Sequence, residues 1–138
     1  MEYTINIKSM KRLVAYSPNI IKHFCRSAGR LHGLIALREQ LNVVHVTGRY
    51  ETFEQVEMDM ETLKVDIARA ATLCARTLAN LNRQAEKNHI PIVCYGLSEM
   101  SMSQVIHAVN NYVDELVAQS DFENWVDELA RERKSACA

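Results

Sequence analysis

The sequence predicts an all-α protein, an elongated antiparallel helical bundle around one long central helix. Three observations carry this. Apolar residues recur at steps of three and four over most of the chain, as one face of a helix requires. Helix-opening patterns of the Ser/Thr-x-x-Glu/Gln kind stand before the runs that begin near residues 52, 101 and 120. Only four Gly and two Pro occur among 138 residues, too few for a turn-rich β domain. No repeat, low-complexity tract or linker divides the chain, so residues 1–138 read as a single helical domain with a frayed tail from about 133.

The elements follow in order. "YTINI" at 3–7 has β-like composition and is a candidate short strand. Ser17-Pro18 opens the first helix, with Ser as N-cap and Pro at the first helical position. From there Ile20, Ile21, Phe24, Ala28, Leu31 and Ile35 keep helical spacing, and the helix is expected over about 18–41. Leu34, Leu37 and Leu41 fall beside that stripe and widen it past an ordinary core face. "NVVHVTGRY" then reads as a connector or short strand near 43–46.

Thr52-Phe-Glu-Gln55 opens the longest helix, expected over 52–88. Its acids, Glu54, Glu57, Asp59 and Glu61, crowd the first turns, and Arg83 and Lys87 lie near its end, as the helix dipole favours. Phe53, Val56, Met60, Leu63, Ile67, Ala70, Cys74, Leu78 and Leu81 form a near-heptad seam. Ala68, Ala71, Ala75 and Ala79 make a small-residue flank that lets a second backbone approach. At about 37 residues this helix would span roughly 55 Å, against a radius of gyration near 14 Å for a compact chain of this length, which is why an elongated bundle is expected.

Asn88 and Pro91 mark the stop. "IPIVCYG", at about 90–95, is an apolar linker or short buried strand. Ser101-Met-Ser-Gln104 caps a helix over 101–119 carrying Val105, Ile106, Val109, Tyr112, Val113, Leu116 and Val117. Ser120-Asp-Phe-Glu123 caps a last one over 121–133, with Phe122, Trp125, Val126 and Leu129 on its apolar side. Strands near 3–7, 43–46 and 90–95 would instead give an α+β fold, the structural alternative.

Charge is unevenly placed. Residues 1–49 hold eight Lys or Arg against two acids, 8 − 2 = +6, and residues 50–138 hold eight against fifteen, 8 − 15 = −7. A split of this size serves a polyanion partner or the docking of one part of a fold on another. The four cysteines, Cys25, Cys74, Cys94 and Cys137, form no CxxC pair, so reduced thiols in a cytoplasmic protein are expected. "MEYTINIKSMKRL" lacks the apolar stretch and cleavage site of a secretory signal, and the run "IPIVCYGL" is far short of a bilayer span.

Little of this points to catalysis. His23 and Cys25 lie on different sides of a helix, and Cys25 and His32 are roughly 10 Å apart along it, beyond what one zinc ion bridges. His45 and His107 bring no acidic partner at ligand spacing, and no metal or cofactor is expected. Arg26 and His32, with five residues between them, resemble the short Arg-to-His motif of HEPN-type ribonucleases. The resemblance covers seven residues, with only Ser27 standing for the polar residue after the Arg, and no activity is carried over from it. The ExxE at Glu54–Glu57 lacks the second acidic pair that a helical nucleotide hydrolase needs. There is no phosphate loop and no nucleophile elbow.

The expectation is therefore a non-enzymatic helical interaction or regulatory module acting as a homodimer. Its interface would be the widened apolar face of Leu34, Leu37 and Leu41, with Arg38 inside the stripe expected to snorkel out or to meet an acid, which a neighbouring chain could supply. The first alternative is a nucleic-acid binder whose Lys22, Arg26 and Arg30 recur every four residues, with Lys8, Lys11 and Arg12 upstream. A helical-bundle hydrolase or ribonuclease is the second. A protein partner remains open, and no membrane association is expected.

Overall fold

The computed structural model describes residues 4–47 and 53–118, with side chains described over 4–41 and 59–117. Four α-helices make up this region: α1 (Ile7–Leu13), α2 (Pro18–Thr47), α3 (Phe53–Lys87) and α4 (Met102–Ala118). A single 3-10 turn at Leu97–Glu99 precedes α4. The helical expectation holds: α2 packs on α3 and on α4, α3 packs on α4, and α1 lies against both α2 and α3. At about 1.5 Å per residue the 35 residues of α3 extend roughly 52 Å. No helix among the described residues is long and apolar enough to cross a membrane. The helix expected over 121–133, the tail from 133 and the Thr52 cap lie outside the described residues.

One element was not foreseen. Asn6 caps α1, its side-chain oxygen accepting the Ser9 N–H at 3.1 Å, and the helix buries Met10 and Leu13 completely. Of the strand expected at 3–7, Tyr3 lies outside the described residues and Ile7 already belongs to α1. Ile5 forms an isolated antiparallel bridge with Cys94, and the extended Asn6 donates its N–H to the Val93 carbonyl at 2.8 Å. The strand expected at 90–95 is reduced to the other half of that bridge. The strand expected at 43–46 is not formed: α2 continues past Leu41 to Thr47. The β-branched residues there cost a few tenths of a kcal/mol each, too little to stop a helix already propagating, and Gly48 is the first strong breaker. The α+β alternative is thereby set aside for the described residues.

The ends of the helices follow local chemistry. Ser17 donates its N–H to Leu13 O at 2.8 Å and accepts Ile21 N–H at 3.2 Å, so it closes the α1–α2 turn and opens α2 ahead of Pro18. Ser101 and Gln104 form a reciprocal capping box: Ser101 N–H donates to Gln104 Oε1 at 2.8 Å, and Gln104 N–H donates to Ser101 Oγ at 3.2 Å. At the end of α3, His89 takes the left-handed conformation with φ 57°. Ile90 N–H then reaches Ala85 O at 2.8 Å and His89 N–H reaches Glu86 O at 3.3 Å, a Schellman closure with Ile90 and Ala85 both buried.

The core is one cluster to which every helix contributes. Ile21, Phe24, Ala28 and Leu31 of α2 meet Cys74, Leu78 and Leu81 of α3 and Val109, Tyr112 and Leu116 of α4. The Phe24 and Tyr112 rings pack tilted at 52° with centroids 5.7 Å apart, an arrangement suited to their quadrupoles. Among the described seam residues of α3 all but Met60 are buried, as the heptad spacing requires.

Candidate functional site: the outward faces of α2 and α3

The basic residues of α2 stand where the helical wheel sets them, opposite the core. Arg26 and Arg30 are exposed, and Lys22 is half-buried. Lys8, Lys11 and Arg12 of α1 are exposed as well. The amino-terminal end of α3 lies far along the hairpin from Arg26 and Arg30. The five-residue connection between α2 and α3 makes them antiparallel, so the acidic first turns of α3 adjoin the far end of α2. Arg30 precedes that end, Thr47, by 47 − 30 = 17 residues, about 25 Å along the helix and several Debye lengths at physiological salt.

The expected dimer face is divided by the fold. Leu41 is buried and Leu34 is half-buried against the core, so both find cover inside the chain. Arg38 is half-buried. Leu37 is the one member left largely open, at 45% exposure. It shares its face with Arg26, Arg30 and the exposed Gly33, where an added Cβ would meet nothing within 4 Å.

Arg26 and His32 do not converge. Six residues on one helix set them about 120° apart, and His32 turns to α4. There His32 Nε2 lies 2.6 Å from Asp114 Oδ1, the carboxylate accepting the ring N–H. Farther along the same face of α4, Asn111 Nδ2 lies 3.1 Å from His107 Nε2. This exposed polar row joins α2 to α4. Among the described residues no three His, Cys, Asp or Glu side chains are grouped to hold a metal ion.

The thiols are placed against reactivity. Cys25, Cys74 and Cys94 are free and buried. Burial pushes the Cys25 and Cys74 thiols up to about 12 and raises Cys94 as well, so the thiolate form that nucleophilic chemistry needs is suppressed. Burial, and then the neighbouring Cys25 sulfur, hold the Tyr112 hydroxyl well above its ordinary value.

A second set of cations escaped the sequence reading. Arg69, Arg76 and Arg83 recur every seven residues on α3, all exposed, with exposed Lys87 beyond them. Arg83 also donates to the Asn80 side chain. Residues 67–87 hold four bases against Glu86 alone, and residues 51–66 hold six acids against Lys64 alone. Within α3 the charge therefore also changes sign along the helix axis, a pattern that the sum over residues 50–138 conceals. The same outward face carries Val65 at 48% and Leu73 at 50% exposure, two large apolar side chains among the charges.

The chain matches no family model, no curated protein and no solved structure.

Proposed function

We propose that the chain is a non-enzymatic helical interaction module that works by pairing with a second copy of itself. The observation that supports this reading is the outward exposure of Leu37, Val65 and Leu73 on the two longest helices, each nearly half open to water in a single chain. Burying an exposed aliphatic side chain contributes about 1 kcal/mol or more, so repeated apolar positions on a helix favour a partner helix. Sedimentation equilibrium across micromolar concentrations tests it, with a mass near twice 15.8 kDa expected and a monomer mass throughout sinking it.

A polyanion-binding reading has its own support in the exposed Lys8, Lys11, Arg12, Arg26 and Arg30. Fluorescence anisotropy with single- and double-stranded nucleic acid separates the two. A binder would lose affinity steeply with salt, and reversing Arg26 and Arg30 together would remove most of it. Weak binding at about 150 mM salt is expected, since between Lys8 and Arg30 a single exposed tyrosine ring, Tyr16, offers a surface on which a base could stack.

A further inference from the structure

We infer that the outward face of α3 is the self-association surface, paired antiparallel with the same face of a second copy about a two-fold axis through Val65. The inference rests on the self-association reading above and assigns its face, direction and register.

The face is defined by what α3 buries. Leu63, Ile67, Ala70, Cys74, Leu78 and Leu81 point into the core. At about 100° per residue, Glu61, Val65, Ala68, Arg69, Thr72 and Arg76 lie on the opposite side. Five of these are exposed or, for Val65, about half exposed, and Thr72 is half-buried. Thr72 is already satisfied, its hydroxyl donating to Ala68 O at 2.8 Å. Ala68 and Thr72 are short enough for a second helix to come close, at the 8–10 Å typical of packed helices.

Charge settles direction. The face is acidic at its N-terminal end, at Glu61, and basic from Arg69 onward. A parallel pairing would set each arginine beside its own copy and Glu61 beside the partner's Glu61, like charge on like charge along the whole length. An antiparallel pairing instead brings the acidic end of one copy toward the basic stretch of the other.

Charge also settles register. With the axis at residue 65, each position faces the one whose number completes 2 × 65 = 130. Arg69 then meets the partner's Glu61, since 69 + 61 = 130, and this pair occurs twice. Val65 meets the partner's Val65, so the most central contact is apolar. Moving the axis by half a heptad, toward residue 69, would instead bring Arg69 against the partner's Arg69. Only the register at Val65 combines an apolar centre with opposite charges on both flanks.

A cysteine scan with charge swaps tests this in the 138-residue chain. Val65→Cys is expected to give a covalent dimer under mild oxidation, while Leu73→Cys, two turns away, gives little more than the unmodified chain. Arg69→Glu and Glu61→Arg are each expected to weaken dimerisation about tenfold, because two pairs change from attraction to repulsion, and the double swap is expected to restore it. Circular dichroism checks that each variant keeps its helices. A dimer by sedimentation that neither cross-links through Val65→Cys nor responds to the swaps overturns this interface while leaving self-association standing. A monomer at all concentrations removes both.

Discussion

Asn82 holds Cys94 by both of its backbone polar groups. The Asn82 side-chain nitrogen donates to Cys94 O at 2.9 Å, and Cys94 N–H donates to Asn82 Oδ1 at 2.9 Å. The amide on α3 thus plays the part of a neighbouring strand, and Ile5 bridges Cys94 on the other side. The segment linking α3 to α4 is clamped between the amino-terminal segment and the longest helix. A connection that enters the core must satisfy its peptide groups without water, and this pairing does so.

Replacing Asn82 by Ala would strand a donor and an acceptor on a residue that is 1% exposed. The expected loss of stability is about 3 kcal/mol, read as a lower urea midpoint with an unchanged slope. A loss below about 1 kcal/mol would show that water takes over both bonds.

His89 pays for a left-handed conformation without a compensating contact of its exposed side chain. Glycine is the natural occupant of that position in a Schellman closure. His89→Gly should raise stability by roughly 0.5–1 kcal/mol, seen as a higher melting temperature. Destabilisation would mean that the imidazole does more than tolerate the turn.

Gly33 sits in mid-helix on the open face of α2 with nothing near its missing Cβ. Gly33→Ala should stabilise the fold by about 1 kcal/mol through helix propensity alone. If the substitution instead lowers stability in a concentration-dependent way, a partner approaches the backbone at this point.

The buried thiols predict both chemistry and pH dependence. At pH 8 Cys25 and Cys74 should resist iodoacetamide in the native protein and react after denaturation, as mapped by mass spectrometry. Their folded-state values are raised to about 12 from 9.0. Below the unfolded value both states are protonated and stability is unaffected. Above it the unfolded chain releases protons that the folded chain retains, so stability falls as pH rises from about 9 to about 12. Each thiol contributes a slope of about 1.4 kcal/mol per pH unit in that window. A urea midpoint that stays constant between about pH 9 and 10.5 would contradict the burial of these groups.

Helices α2, α3 and α4 were legible because their signals are local. Ser17-Pro18, the Ser101–Gln104 box and the three-four spacing of apolar residues act within a few turns, and each operates as its spacing implies. What misled was equally local. Thr4, Ile5 and Ile7 resemble a strand in composition, but Asn6 can cap a helix whose Met10 and Leu13 then reach the core, and only that tertiary reward makes α1 worth forming. The β-branched run at 43–46 has a propensity too small to outweigh helix continuation.

The amino-acid sequence by itself determined which residues of each helix are apolar and where most helices begin, because periodicity and capping are properties of neighbouring residues. It could not decide which apolar positions remain open. Leu34 and Leu41 lie side by side at the edge of the apolar stripe, yet the fold buries Leu41 and only half-covers Leu34, while Leu37 stays exposed on the face of Arg26 and Arg30. It could not assign the charge axis either, since that depends on α2 and α3 folding back on each other and bringing the cations of α2 level with the basic half of α3. Exposure and long-range charge placement are set by which helix lies against which, and that is decided only when the bundle closes.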